Sequence, residues 1–258
     1  SDISPPPEPD PEALRWWQHH LFDRCDPTDW VIASILPSGD GKWRENVLAF
    51  PVGKRAGAVD KLTSLARQGD LYLTCCPRAQ RPLPGRRGGA DTVGTLPGFW
   101  SDIDVRGPRH AATDLPPTDA EALSLAYGVG KTPSLTLYSG GGLQLWWLLE
   151  EPLVIDDGNR SEVADLVKGW GRTMAAAGEL NGWHVDQVSD LPRVLRPAGS
   201  INYKTGQNGQ SLPPLAVEVG AGPDVPTRYS LDALRALIVP EKPKWTAPSK
   251  PPDYRPPP

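Results

Sequence analysis

Cysteine and histidine are scarce in this chain, and so is any excess of positive charge. The three cysteines, Cys25, Cys75 and Cys76, make neither a zinc spacing nor an even disulfide set. A reduced, cytoplasmic setting is expected. The four histidines, His19, His20, His110 and His184, are too scattered for a histidine-rich metal site. They also lack the His-hydrophobic-His pair that a relaxase-type replication initiator needs. No apolar run is long enough to span a bilayer and nothing resembles a signal peptide, so no membrane partner is expected. The net charge is -4 and the pI about 5.6. That balance excludes a general polyanion binder, so any nucleic-acid contact must come from local basic patches. No internal repeat is visible.

Proline is abundant instead, at 31 of 258 residues, and gathers at the two ends. Residues 1–10 read as a disordered proline-rich segment and residues 241–258 as a semi-rigid proline linker or tail. Between them, residues 11–240 read as one mixed α+β domain. Apolar spacing predicts helices over 11–24, 59–68, 118–127, 161–177 and 230–238. The 118–127 helix has Thr118 or Asp119 as its cap. Strands are predicted over 30–36, 46–50, 71–75, 99–105, 134–138, 143–149, 183–186 and 215–219. Residues 77–97, rich in Arg, Gly and Pro, read as a long loop. The ten tryptophans are mostly core candidates.

Four clusters carry chemistry. In Phe99-Trp100-Ser101-Asp102-Ile103-Asp104-Val105 two aspartates lie two positions apart on a strand, so they share a face while Ile103 and Val105 enter a core. Like charges so placed raise each other's pKa unless a cation sits between them, and Mg2+ favours such oxygen donors combined with substrate phosphates. Ser139-Gly140-Gly141-Gly142-Leu143-Gln144-Leu145-Trp146-Trp147 is either a plain hairpin turn or a turn whose bare backbone cradles phosphate. It is not a Walker loop, and neither is Gly128-Val129-Gly130-Lys131-Thr132, which lacks the preceding strand and first glycine. Trp183 to Asp190 is an apolar stretch that runs into acids, one of which could complete a three-carboxylate site. Arg193, Arg196 and Lys204 follow, able to neutralise a triphosphate. Arg78, Arg81, Arg86 and Arg87 form a basic loop for template phosphates or an incoming nucleotide, with Trp146 a candidate for stacking on a base.

Taken in order, these blocks resemble the primase-polymerase (prim-pol) domain of the archaeo-eukaryotic primase superfamily, phage and plasmid replication type. The resemblance runs from about Leu71 to Lys204. Leu71–Arg78 with Gly94–Val105 is similar to that family's strand, arginine loop and "glyW-x-Asp-x-Asp" segment. Ser139–Trp147 is similar to its "SGGG-x-His-x-x-W" hairpin, and Arg193–Lys204 to its "R-V-L-R-x-P-G-T-x-N-x-K" block. The resemblance implies an RRM-like antiparallel sheet with flanking helices plus a smaller N-terminal α/β unit. It also implies that Asp102, Asp104 and Asp186 (Asp190 in reserve) hold two Mg2+ or Mn2+ ions. Ser139, Gly141, Gly142, Gln144, Arg193, Arg196 and Lys204 would bind the NTP or dNTP, while Arg78, Arg86, Arg87 and Trp146 would contact single-stranded DNA. One departure matters: the family carries a histidine, expected on the nucleotide phosphates, where this chain has Gln144. Glutamine donates through its amide but cannot become cationic.

The expected function is therefore a DNA-templated primase or polymerase serving a downstream helicase or replisome partner. The rival is a catalytically weakened module that binds nucleotide or single-stranded DNA.

Overall fold

The structure is a computed structural model that describes residues 6–38, 41–206 and 209–241. Helix α1 (Pro11–Phe22) starts where Asp10 accepts hydrogen bonds from the amides of Glu12 and Ala13, with Pro11 at the first helical position. Strands β1 (Trp30–Pro37) and β2 (Arg44–Pro51) follow, then a 3-10 segment (Val52–Ala58) and α2 (Val59–Ala66). Next come β3 (Gly69–Thr74), β4 (Thr95–Asp104), α3 (Asp119–Gly128), β5 (Leu135–Tyr138) and β6 (Gly142–Val154). Helix α4 (Arg160–Leu180) precedes the short strands β7 (Val194–Leu195), β8 (Ile201–Asn202), β9 (Leu215–Ala216), β10 (Glu218–Val219) and β11 (Arg228–Tyr229). Helix α5 (Leu231–Arg235) comes last. No helix among the described residues is long and apolar enough to cross a membrane.

Two sheets organise the fold. The smaller N-terminal unit is an antiparallel sheet in the order β2-β1-β3-β7, attended by α1 and α2. The second sheet is centred on β6, which pairs antiparallel with β4 and β5 and briefly parallel with β11. This is the mixed α+β architecture expected, with helices flanking antiparallel sheet. Register along β4 and β6 sets Trp100 opposite Trp146, Asp102 opposite Gln144 and Asp104 opposite Gly142. Alternation then sends these residues to one face and Phe99, Ile103, Leu143 and Trp147 to the other. The first face meets α1, where Trp17 stands edge-on to Trp146 at 6.1 Å between ring centroids. The second face meets α4, where Trp170 stacks on Phe99 at 5.3 Å and stands edge-on to Trp147 at 4.8 Å. Indole packing on both sides makes one continuous core across the two sheets.

Several boundaries differ from expectation for physical reasons. Residues 183–186 form no strand, because their backbone is claimed locally: the Trp183 amide donates to Gly178 and the His184 amide to Asp114 at 2.6 Å. The expected 215–219 strand is broken at Val217, which exchanges hydrogen bonds with Gly199 and Ser200 while β9 pairs with β8 and β10 with β5. Thr95–Pro97 belong to β4 rather than to the loop. Of the N-terminal segment expected to be disordered, Pro9 is buried and the Asp10 amide donates to Gly199 at 2.9 Å; residues 1–5 lie outside the described residues. The expected proline tail lies outside them too, apart from Glu241. For α3 the cap is Thr118, whose hydroxyl accepts from the Glu121 amide at 3.3 Å.

Trp146 is 0% exposed, walled in by Trp17 and Trp100, so no base can stack on it. Its burial predicts that Trp146→Ala lowers the free energy of unfolding in urea by about 3–5 kcal/mol. A loss under 1 kcal/mol would contradict a core role.

Candidate active site

The site is the end of the β4–β6 ladder that faces the N-terminal sheet. Asp102 and Asp104 lie on that face as the strand spacing predicts, both partly buried. Burial pushes the Asp102 carboxyl up to about 6, and the neighbouring Asp104 and more distant Asp186 carboxylates add to the rise. Arg196 and Lys204 pull in the opposite direction. Negative charge is thus under-compensated at Asp102. Beside it, Gln144 is 2% exposed, and its Oε1 has no hydrogen-bond partner. A buried acceptor without a donor, next to a carboxylate pair, marks a place where a cation fits.

The third acid stands differently. Among the described residues no group of three or more His, Cys, Asp or Glu side chains converges as a ready metal cage. Asp186 is 62% exposed and its Oδ1 lies 2.8 Å from His184 Nε2. Its loop is pinned to the site by Trp100, whose indole N–H donates to the Val188 carbonyl at 2.7 Å. Asp186 therefore acts on Asp102 through its field. Asp190 instead pairs with Arg193 and acts on the Cys75, Cys76 and Arg78 cluster, so the structure separates the two candidates.

The glycine turn closes the end of the ladder. Gly140 has φ +79°. A Cβ at Gly142 would sit 2.1 Å from the Ile103 carbonyl oxygen, so only glycine lets β6 approach β4 there. The Ser139 hydroxyl donates to the Gly142 carbonyl at 3.1 Å, so it shapes the turn. Asn202 ties the turn to the basic block by donating to the Ser139 carbonyl at 2.6 Å. Within that block, Arg196 binds Asp70 of β3 through Nε at 2.9 Å and a terminal nitrogen at 2.8 Å, and lies 4.8 Å from the Tyr72 ring centroid. Asp70 also accepts from the Tyr203 amide at 3.1 Å. A buried acid on the N-terminal sheet thereby fixes the block's position. Lys204 is exposed and adds charge from the rim. Arg193 does not join this set: it pairs with Asp190, and its carbonyl accepts from the Cys75 amide at 2.9 Å.

No protein-family model matches the sequence, and a search of curated protein sequences finds no match. Among solved structures, the crystal structure of primase RepB' aligns over 88% of this chain with a TM-score of 0.51 and 13% identity. This chain spans 61% of that one. The chain has a primase fold. A structure of the catalytic domain of primase RepB' in complex with initiator DNA also aligns, over 88% of this chain and 92% of that one, with a TM-score of 0.49 and 13% identity.

On this primase fold the basic loop needs two corrections. Arg78 is 0% exposed and cannot touch DNA. Its guanidinium donates to the carbonyls of Cys76, Arg87 and Pro192, bolting the loop to the end of β3 and to the segment before β7. Trp146, as shown above, is core. Arg81 and Arg86 remain exposed, Arg81 over the Trp30 ring at 5.2 Å, and Arg87 pairs with Glu45 at 3.4 Å. Sequence reasoning also missed residues. Asp70 and Tyr72 share a strand face two positions apart, the same signal that revealed Asp102 and Asp104. Arg109 and His110 carried no periodic signal because they lie in a loop, yet His110 Nδ1 is 2.9 Å from Asp104 Oδ2.

The raised pKa of Asp102 has a stability consequence. With a folded-state value of about 6, above the unfolded ~3.9, the folded chain holds this proton more tightly. The stability gained is complete below about pH 4 and is lost as pH rises through 6. Without divalent ions, Asp102→Asn is therefore expected to be more stable than the parent at pH 7.5, by up to roughly 3 kcal/mol. The difference should shrink toward zero near pH 4. Parallel denaturation curves at both pH values would refute this electrostatic account.

Proposed function

We propose that this protein is a nucleotidyltransferase that synthesises primers on single-stranded DNA. The observation that carries the proposal is the under-compensated Asp102–Asp104 pair at the end of the β4–β6 ladder, beside a glycine turn and a basic block. A primase fold around this site supports the reading. The reaction is in-line attack of a 3'-hydroxyl on the α-phosphate of an NTP or dNTP, with pyrophosphate leaving.

Asp102 and Asp104, with the Gln144 carbonyl oxygen, would hold Mg2+ or Mn2+. Bound there, such ions supply Lewis-acid stabilisation of the phosphoryl charge and ease deprotonation of the attacking hydroxyl. The chain's own groups do the rest. Arg196, held rigid by Asp70 and Tyr72, and Lys204 on the rim set a positive field beside the carboxylates. The turn at Gly140–Gly142 leaves main chain bare for phosphate oxygens. Exposed Arg81 and Arg86 offer contacts to the template backbone. Asp186 adds negative charge near Asp102 and strengthens the site's demand for cations. Extension of existing primers and service to an attached helicase are natural roles for such a domain.

The test is unprimed synthesis on single-stranded DNA with labelled NTPs or dNTPs in Mg2+ or Mn2+. Short labelled products are expected, and Asp102→Ala with Asp104→Ala should cut their rate by ~1,000-fold or more. Equal synthesis by the double variant would overturn the mechanism. Absence of synthesis in the parent, with nucleotide binding retained, would favour the binding-module reading.

A further inference from the structure

A second feature lies beyond the aspartate pair, where the chain leaves β4. Residues 105–110 fold back against the glycine turn and enclose, with Tyr138 and Leu215, a cavity of about 350 Å3. Arg109 lines it and is 8% exposed. One terminal nitrogen of Arg109 donates to the Pro213 carbonyl at 2.6 Å, while its Nε has no hydrogen-bond partner. No carboxylate pairs with this guanidinium in any described ion pair, although Asp119 also lines the cavity. Its nearest charged influences are a second cation, Arg196, and Asp70, which Arg196 already engages. A buried guanidinium with a spare donor and a cationic neighbour is stabilised by an anion.

The glycine turn supplies the opposite wall. An added Cβ at Gly141 would lie 2.8 Å from His110 Nε2, and His110 Nδ1 reaches Asp104 Oδ2 at 2.9 Å. His110 thus spans from the carboxylate pair to the turn and holds Arg109's loop against both. His110 therefore links the wall of the cavity to the carboxylate pair. Gln144 cannot supply charge there: it is neutral and buried in β6.

We propose that Arg109 binds the β- and γ-phosphates of the incoming nucleotide in this cavity, with His110 as the residue that positions its loop. The assignment rests on the function proposed above. It makes the chain's phosphate discrimination depend on the loop after β4 rather than on the middle of β6.

Calorimetric titration of the full chain in Mg2+ tests it, using the non-hydrolysable α,β-imido analogue of dATP against dAMP. The parent should bind the triphosphate analogue more tightly than dAMP. Arg109→Gln keeps an amide able to donate to Pro213 but removes the charge. It should weaken the triphosphate analogue by ~10-fold or more, as expected for a lost charged hydrogen bond, and leave dAMP within about twofold. A merely structural Arg109 predicts an equal weakening of both ligands, or none, with Arg109→Gln. Either of these results overturns the assignment while leaving the proposed reaction standing. A parent that does not distinguish triphosphate from monophosphate overturns both.

Discussion

The site depends on the antiparallel ladder between β4 and β6. That ladder alone sets Asp102 beside Gln144 and Asp104 beside Gly142. It exists because both faces are closed by indoles: Trp17 meets Trp146 on one side, and Trp170 meets Phe99 and Trp147 on the other. Packing on both faces makes a register slip expensive, since a shift by one residue would exchange the two faces throughout. The carboxylates sit at the end of this rigid element and inherit its precision. The bare glycine turn is the only way for the ladder to continue to its end, because the Ile103 carbonyl occupies the space of a side chain at 142.

Charge around the ladder is arranged in two shells with opposite effects. Close to Asp102, burial and the neighbouring acids make ionisation unfavourable. Around them, Arg196 and Lys204 act in the opposite direction, and Arg109 lies within the field of Arg196. Arg196 depends on Asp70 of the N-terminal sheet, and Arg109 on the Pro213 carbonyl. The two sheets are therefore electrostatically joined at the site as well as packed. Under the proposed function, a phosphate-bearing ligand bound together with a cation would satisfy both sets of charges at once.

Much of the architecture was legible before the structure. Strands β1 to β6 and the five helices were legible in the sequence, the helices within a few residues at their ends. The carboxylate pair and the glycine turn were visible as local patterns, because i, i+2 spacing on a strand is itself a geometry. The errors have a common origin. Arg78 has the composition of a nucleic-acid contact, but its length lets it reach three carbonyls in the interior. Trp146 alternates with the core-facing Leu145 and Trp147, and only α1, packed on the opposite face from them, buries it as well. The stretch ending in Asp186 has the apolar residues of a strand, but its amides are taken by the Gly178 and Asp114 carbonyls.

By itself the sequence determined the longer strands, the face shared by Asp102 and Asp104, and the bare turn opposite them, since each follows from local patterns along the chain. Tertiary structure decided which charges meet. It separated Asp186 from Asp190, buried Arg78, tied Arg196 to Asp70 across 126 positions and laid Arg109 and His110 against the glycine turn. Those pairings come from loops and from residues far apart in the chain. No local period encodes them, and only the closing of one sheet on the other brings them within reach.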